Sequence, residues 1–165
     1  MKTNYEELYK QINKWKKERG LTIKNQKEGL INNLREEIIE LIEAVDVYNE
    51  IDALCDISVF CIGCLTSKKF NKNIQSGCSL DDIALYYKML KKKITNECLL
   101  GIIYTCEYCI YGLNFDYFKC MQETIKEISS RTGKYDDEAK KWIKDTSDEA
   151  KAKWYKADYS KCKSN

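Results

Sequence analysis

No proline interrupts the 165 residues of this chain, and glycine occurs only seven times. These residues end helices and build the tight turns of sheets, so their scarcity favours long helices over a many-turned β architecture. The apolar residues recur accordingly, three and four positions apart, along most of the chain. Tyr5, Leu8, Ile12 and Trp15 form the stripe of a first helix, which Gly20 stops. After a polar connector over Thr22–Lys27, a second helix carries Leu30, Leu34, Ile38, Leu41 and Val45 as its buried seam. A third, from about Asn49 to Thr66, turns Ile51, Leu54, Cys55, Ser58, Ile62 and Leu65 inward.

Ser67–Gly77 reads as a basic, Asn-rich loop. Ser79-Leu80-Asp81-Asp82 opens a fourth helix like a capping box, and Lys91-Lys92-Lys93 closes it with cations that suit the negative end of a helix dipole. A fifth helix spans Thr95 to about Tyr111, and Asn114 caps a sixth that runs to about Ser130. Beyond it the chain is polar and rich in lysine and aromatics, with at most a short helix at Ser147-Asp148-Glu149. The expected fold is all-α. One domain over 1–165 comprises a helical bundle (1–130) and a C-terminal tail (131–165) that wraps it.

Lys plus Arg number 28 against 26 Asp plus Glu, a net charge of +2. That balance offers no footprint for sequence-independent nucleic-acid binding. No apolar run approaches the roughly 18 residues of a bilayer span, and Met1-Lys2-Thr3-Asn4-Tyr5-Glu6-Glu7 shows no signal segment. A cytoplasmic protein with no membrane partner is expected. Histidine is absent, which removes the Ser–His–Asp and Cys–His routes to an activated nucleophile. Catalysis would have to use carboxylates, lysine, tyrosine or cysteine.

The second helix carries Glu36, Glu37, Glu40 and Glu43. With Leu34 as zero, Glu37 falls near −60° and Glu40 near −120°, beside the apolar seam and not opposite it. The third helix carries Asp52 and Asp56 one turn apart, flanking its own seam. Two adjacent helices can thus direct several carboxylates into one groove, whereas Glu43 and the Glu6-Glu7 pair read as solvated. Like charges held this close raise one another's pKa unless a cation neutralises them. A donor set of oxygens alone suits a hard ion, Mg²⁺ or Mn²⁺, whose remaining coordination positions go to water and substrate phosphates. The chemistry expected is metal-assisted attack of water on phosphorus.

Leu34-Arg35-Glu36-Glu37-Ile38-Ile39-Glu40-Leu41, followed by Ile51-Asp52-Ala53-Leu54-Cys55-Asp56-Ile57, resembles the all-α nucleoside triphosphate pyrophosphohydrolases. This MazG-like superfamily includes the dimeric dUTPases and phosphoribosyl-ATP pyrophosphohydrolase. Its signature is Glu-Glu-x-x-Glu on one helix and Glu-x-x-Asp on the next. The lead-in from Trp15 through Gly20-Leu21 to Asn25 resembles phage and bacterial members. The resemblance implies a four-helix core, obligate Mg²⁺, and cleavage between the α and β phosphates to a monophosphate and pyrophosphate. It implies Glu37, Glu40 and Asp56 as metal ligands, and Glu36 as a ligand or the residue that positions water. One departure stands out: the glutamate of Glu-x-x-Asp falls on Ala53. Asp52 is then the expected fourth ligand, with Glu50 behind it.

Glu127-Ile128-Ser129-Ser130-Arg131-Thr132-Gly133-Lys134-Tyr135 resembles the Ser-Asn-x-Ser-Lys-Phe stretch that follows the last core helix in that family. It implies Lys134 as the phosphate partner with Arg131 nearby. Lys140, Lys141 and Lys144 add cations around the aromatic face of Trp142, and Asn25 is a further expected substrate contact. Family members pair their chains, so a homodimer or homotetramer is expected.

The nine cysteines offer a rival. Cys61-Ile62-Gly63-Cys64 and Cys106-Glu107-Tyr108-Cys109 formally match a four-cysteine zinc site. Both pairs sit inside helical patterns among apolar neighbours, where a thiol behaves as a small buried hydrophobe. Core packing is the expectation. A helical zinc-binding or interaction module, or a family member that binds nucleotide without turnover, is the alternative to an enzyme.

Overall fold

Hydrogen-bonded caps punctuate the chain where proline does not. In the computed structural model, described over residues 3–164 except Lys72 and Gln75, six long helices follow one another. They are α1 (Tyr5–Glu18), α2 (Ile23–Ile42), α3 (Val47–Cys64), α4 (Leu80–Lys92), α5 (Asn96–Gly112) and α6 (Tyr117–Ser130). The tail adds β1 (Gly133–Asp136), β2 (Lys141–Lys144), a single turn α7 (Asp148–Lys151) and a 3-10 turn over Tyr159–Cys162. The protein is mainly helical, with one two-stranded sheet. Met1 and Lys2, read above as part of a polar start, lie outside the described residues, as do Lys72 and Gln75 of the 67–77 loop.

α3 is the axis of the bundle. Ile51, Leu54, Cys55, Ile57, Cys61 and Ile62 are all fully buried, and α3 packs on α1, α2, α5 and α6, most extensively on α2. Its buried hydroxyl, Ser58, is satisfied by the carbonyl of Leu54 at 2.9 Å. At the other end Lys16 of α1, nearly buried, donates to the carbonyl of Gly63 at 2.6 Å. A cation among the unpaired carbonyls of a helix C-terminus is favourable there. This contact helps end α3 at Cys64, two residues before the expected Thr66.

Several boundaries differ from the sequence expectation, each through a cap. Thr22 opens α2 at once: its hydroxyl accepts from the Asn25 amide at 3.1 Å, while Asn25 Oδ1 accepts from the Thr22 amide at 3.0 Å. The expected connector over 22–27 is therefore helix. α2 stops at Ile42, leaving Val45, a predicted seam residue, 89% exposed. Asp46 takes over as the cap of α3, accepting from the amides of Tyr48 and Asn49 at 2.8 and 2.9 Å. Asn114, the expected cap of α6, adopts the left-handed conformation (φ 65°) as the chain leaves α5. Asp116 does the capping, accepting from the Lys119 amide at 2.9 Å.

The tail holds the largest surprise, an antiparallel hairpin. Gly133 pairs with Lys144 and Tyr135 with Trp142, and Asp136 accepts from the amides of Glu138 and Ala139 to shape the turn. The hairpin seats on α2 at a notch made by Gly29. A methyl group there would stand 2.5 Å from the carbonyl oxygen of Lys140, itself in the left-handed region (φ 52°). The chain then runs back along α6. Tyr155 N donates to Ser130 Oγ at 2.8 Å, Ala157 N to Glu127 at 2.6 Å, and Asp116 N to the Cys162 carbonyl at 2.8 Å. Among the described residues, no helix is long and apolar enough to cross a membrane.

Gly29→Ala tests the notch. The substitution favours helix by up to about 1 kcal/mol, yet the new methyl group meets backbone and cannot be accommodated by a rotamer change. Hydrogen exchange should therefore quicken across 133–144 while α2 becomes no less protected; unchanged hairpin protection would refute the seating.

Candidate active site

α2 and α3 share a seam of Leu30, Leu34, Leu41, Ile51 and Leu54, all buried. One helical step away from that seam, Glu36, Glu37 and Glu40 of α2 and Asp56 of α3 line a single cleft of about 200 Å³. A water needs only ~10–15 Å³ on this measure, so the cleft admits a sizeable hydrated ligand. Its opposite wall comes from the end of α6 and the hairpin: Arg131, Tyr135, Lys140, Lys141, Trp142 and Lys144, with Trp15 of α1 at one side. Acids stand on the bundle and bases on the tail.

The acids are poorly compensated. Glu37 Oε2 is buried without a hydrogen-bond partner. Burial, then the charges of Asp56, Glu40 and Asp52, push the Glu37 carboxyl up to about 8, with Lys144 opposing. Burial and the charge of Asp52 push Asp56 up to about 7, against the pull of Lys144 and Arg131. Glu36 is ion-paired with Lys141, and Glu40 is exposed at the mouth.

Asp52 stands apart from the expected ligand set. Its Oδ1 accepts from the hydroxyl of Tyr159 at 2.6 Å, and it borders a separate depression with Asp46, Glu127 and Tyr159. Its charge still reaches Glu37 and Asp56, but its oxygen is engaged by the tail. Ala53, where the family glutamate would fall, is 3% exposed in the core. Glu50 raises the Cys109 thiol of α5 and does not line the cleft.

The basic residues divide as well. Lys141 and Lys144 are at the cleft, and Arg131 lines it while ion-paired with Glu127 and lying 5.4 Å from the ring of Trp154. Lys134, the expected phosphate partner, is not there. Side chains alternate along a strand; β1 sends Tyr135 to the cleft and leaves Lys134 exposed beside Glu18 and Arg19. Asn25 lines the cleft while capping α2.

Gln26, Asn33 and Tyr135 also line the cleft. Gln26, Asn33, Glu37 and Glu40 are spaced seven, four and three residues apart, one helical stripe that a search for carboxylates alone does not see. Arg19 locks the rim: its guanidinium lies 4.9 Å from the ring of Trp15 and 5.8 Å from that of Trp142. The same group donates to the carbonyls of Ile128, Ser129 and Arg131.

The cysteine pairs sit elsewhere, within α3 and α5. Cys61, Cys64 and Cys106 are buried and Cys109 partly so. Burial raises all of these thiols, Cys64 and Cys106 up to about 12, whereas zinc binding requires thiolates.

No protein-family model, curated protein or solved structure matches this chain. What the cleft can do follows from its own groups. Among the described residues, no three Asp, Glu or Cys side chains already stand in metal-ligating geometry. The donors nevertheless suit a hard cation: they are all carboxylate oxygens, one is buried with no partner, and two are raised by burial and then by the charge of neighbouring carboxylates.

The raised carboxyls make the metal-free protein sensitive to pH. The folded state retains protons on Glu37 and Asp56 that the unfolded chain releases above about pH 4, so stability falls as pH rises from 4 toward 8. Thermal melts in EDTA should show a lower Tm at pH 8 than at pH 5, with a shallower decline in Glu37→Gln. An equal decline in the variant would remove Glu37 as its source.

Proposed function

We propose that this chain is a Mg²⁺-dependent nucleoside triphosphate pyrophosphohydrolase with a MazG-like core. It would split its substrate between the α and β phosphates to a monophosphate and pyrophosphate. The observation that carries this reading is the two-sided cleft, in which carboxylates of α2 and α3 face the cations and indole of the hairpin. An anionic polyphosphate brought beside carboxylates requires both a bridging cation and basic groups.

Glu37, Glu40 and Asp56 are the residues that would hold Mg²⁺, or Mn²⁺ in its place; Asp52, tied to Tyr159, would bias them from the next turn. When bound, the ion neutralises charge on the phosphates and acidifies a water. Glu36 positions the attacking water and accepts its proton at a carboxylate oxygen. Lys141, Lys144 and Arg131 bind phosphate oxygens and oppose the negative charge that accumulates during attack. Trp15 and Trp142 supply flat apolar walls, and Asn25 a polar contact, for the nucleoside end. Exposed Ile39, Ile42, Val45 and Tyr48 at the α2–α3 junction, with Leu85 and Met89 of α4, support a homodimer or homotetramer.

A pyrophosphate-release screen across the common ribo- and deoxyribonucleoside triphosphates tests the reading. Turnover to monophosphate and pyrophosphate should require Mg²⁺ and stop in EDTA; orthophosphate release alone, or no turnover of any nucleotide, would overturn it. Glu40→Gln and Asp56→Asn should each lower kcat/KM by about 100-fold or more with the helical circular dichroism intact. Lys144→Ala should both raise KM and lower kcat.

A further inference from the structure

Away from the cleft, the buried contact between α6 and the 3-10 turn contains a matched pair of thiols. Cys120 of α6 is 0% exposed and Cys162 of the turn 2%. Two hydrogen bonds set the register around them. Asp116, one helical turn before Cys120, donates its amide to the Cys162 carbonyl at 2.8 Å; Thr124, one turn after it, meets the Tyr159 hydroxyl at 3.0 Å. These bonds bring the two residues into the same buried contact, where the Cys162 Sγ lies 4.0 Å from the Asp158 carbonyl and neither sulfur is in a disulfide.

We propose that Cys120 and Cys162 form a reversible dithiol–disulfide site that fastens the terminal turn to α6, with a low-molecular-weight disulfide such as glutathione disulfide as oxidant. This does not depend on any catalytic reading of the cleft.

The asymmetry of the pair assigns the order of events. Cys162 lies on a single 3-10 turn, whereas Cys120 is held within the 14-residue helix α6. That turn is a unit small enough to open locally, which exposes Cys162 first and lets it ionise in water. The Cys162 thiolate attacks one sulfur of glutathione disulfide, forming a mixed disulfide and releasing one glutathione thiolate. When the turn closes again, Cys120 gives up its proton and attacks the Cys162 sulfur, expelling the second glutathione. Two protein thiols are oxidised, one disulfide is reduced to two thiols, and excess thiol reverses both steps. Because Tyr159 shares the turn with Cys162, the cross-link also fixes the hydroxyl that holds Asp52.

The test is to incubate the intact native chain with excess glutathione disulfide, block remaining thiols with N-ethylmaleimide and map the peptides by mass spectrometry. Cys120–Cys162 should be the predominant intramolecular disulfide, with Tm raised by about 5 °C or more, slower hydrogen exchange over 155–164, and full reversal by dithiothreitol. Cys120→Ser and Cys162→Ser should each abolish the rise in Tm. Alkylation of both thiols after oxidation, a stable glutathione adduct left on Cys162, or a Cys55–Cys120 link in its place would each overturn the proposal. Wild-type mapping alone decides the matter should either variant fail to fold.

Discussion

Packing of α2 against α3 imposes a repulsion that the rest of the site must answer. The leucine and isoleucine seam between the helices leaves no freedom to separate Glu37 from Asp56, because both side chains lie just beside it. Burial of apolar groups contributes roughly 1.5–3 kcal/mol for each large side chain, enough in sum to hold two carboxyls where neither would settle alone. Burial first, and then the charge of neighbouring carboxylates, raises both carboxyls and favours protons on them. On the proposed reading, a divalent ion takes the place of those protons.

Countercharge comes from a different part of the chain. Lys141 reaches Glu36, Lys144 acts on Glu37 and Asp56, and Arg131 acts on Asp56 while paired with Glu127. All three belong to α6's end or the hairpin that follows it. That hairpin has only four residues in each strand and would be marginal by itself. Its position depends on the Gly29 notch, the Arg19 carbonyl contacts and the contacts of that guanidinium with Trp15 and Trp142, so the basic wall is a tertiary product.

This division explains what could be read from the residues alone. The long helices and the acidic stripe follow from spacing, since period 3.6 places Glu36, Glu37 and Glu40 together without reference to any other element. Thr22 and Asp46 set helix ends through paired side-chain hydrogen bonds that apolar spacing does not record, and at Asp46 the cap outweighs a continuing stripe, as exposed Val45 shows. The hairpin was hidden: Lys141-Trp142-Ile143-Lys144 lacks a clear apolar alternation, and what stabilises it lies on α1 and α2. Lys134 was misplaced for the same reason, because strand parity decides its face and no strand was expected. Asp52, an expected ligand, accepts instead from a tyrosine 107 residues away, a relation with no local signal.

Arg19 joins three elements at one point, with an indole from α1, an indole from the hairpin and the last carbonyls of α6 all gathered on its guanidinium. A wedge shared in this way has a mechanical consequence. The hairpin cannot swing outward as an independent flap; opening it breaks the sandwich and frees the last carbonyls of α6 together. Breathing of the basic wall is thereby geared to the first helix, whose Trp15 and Arg19 both meet it.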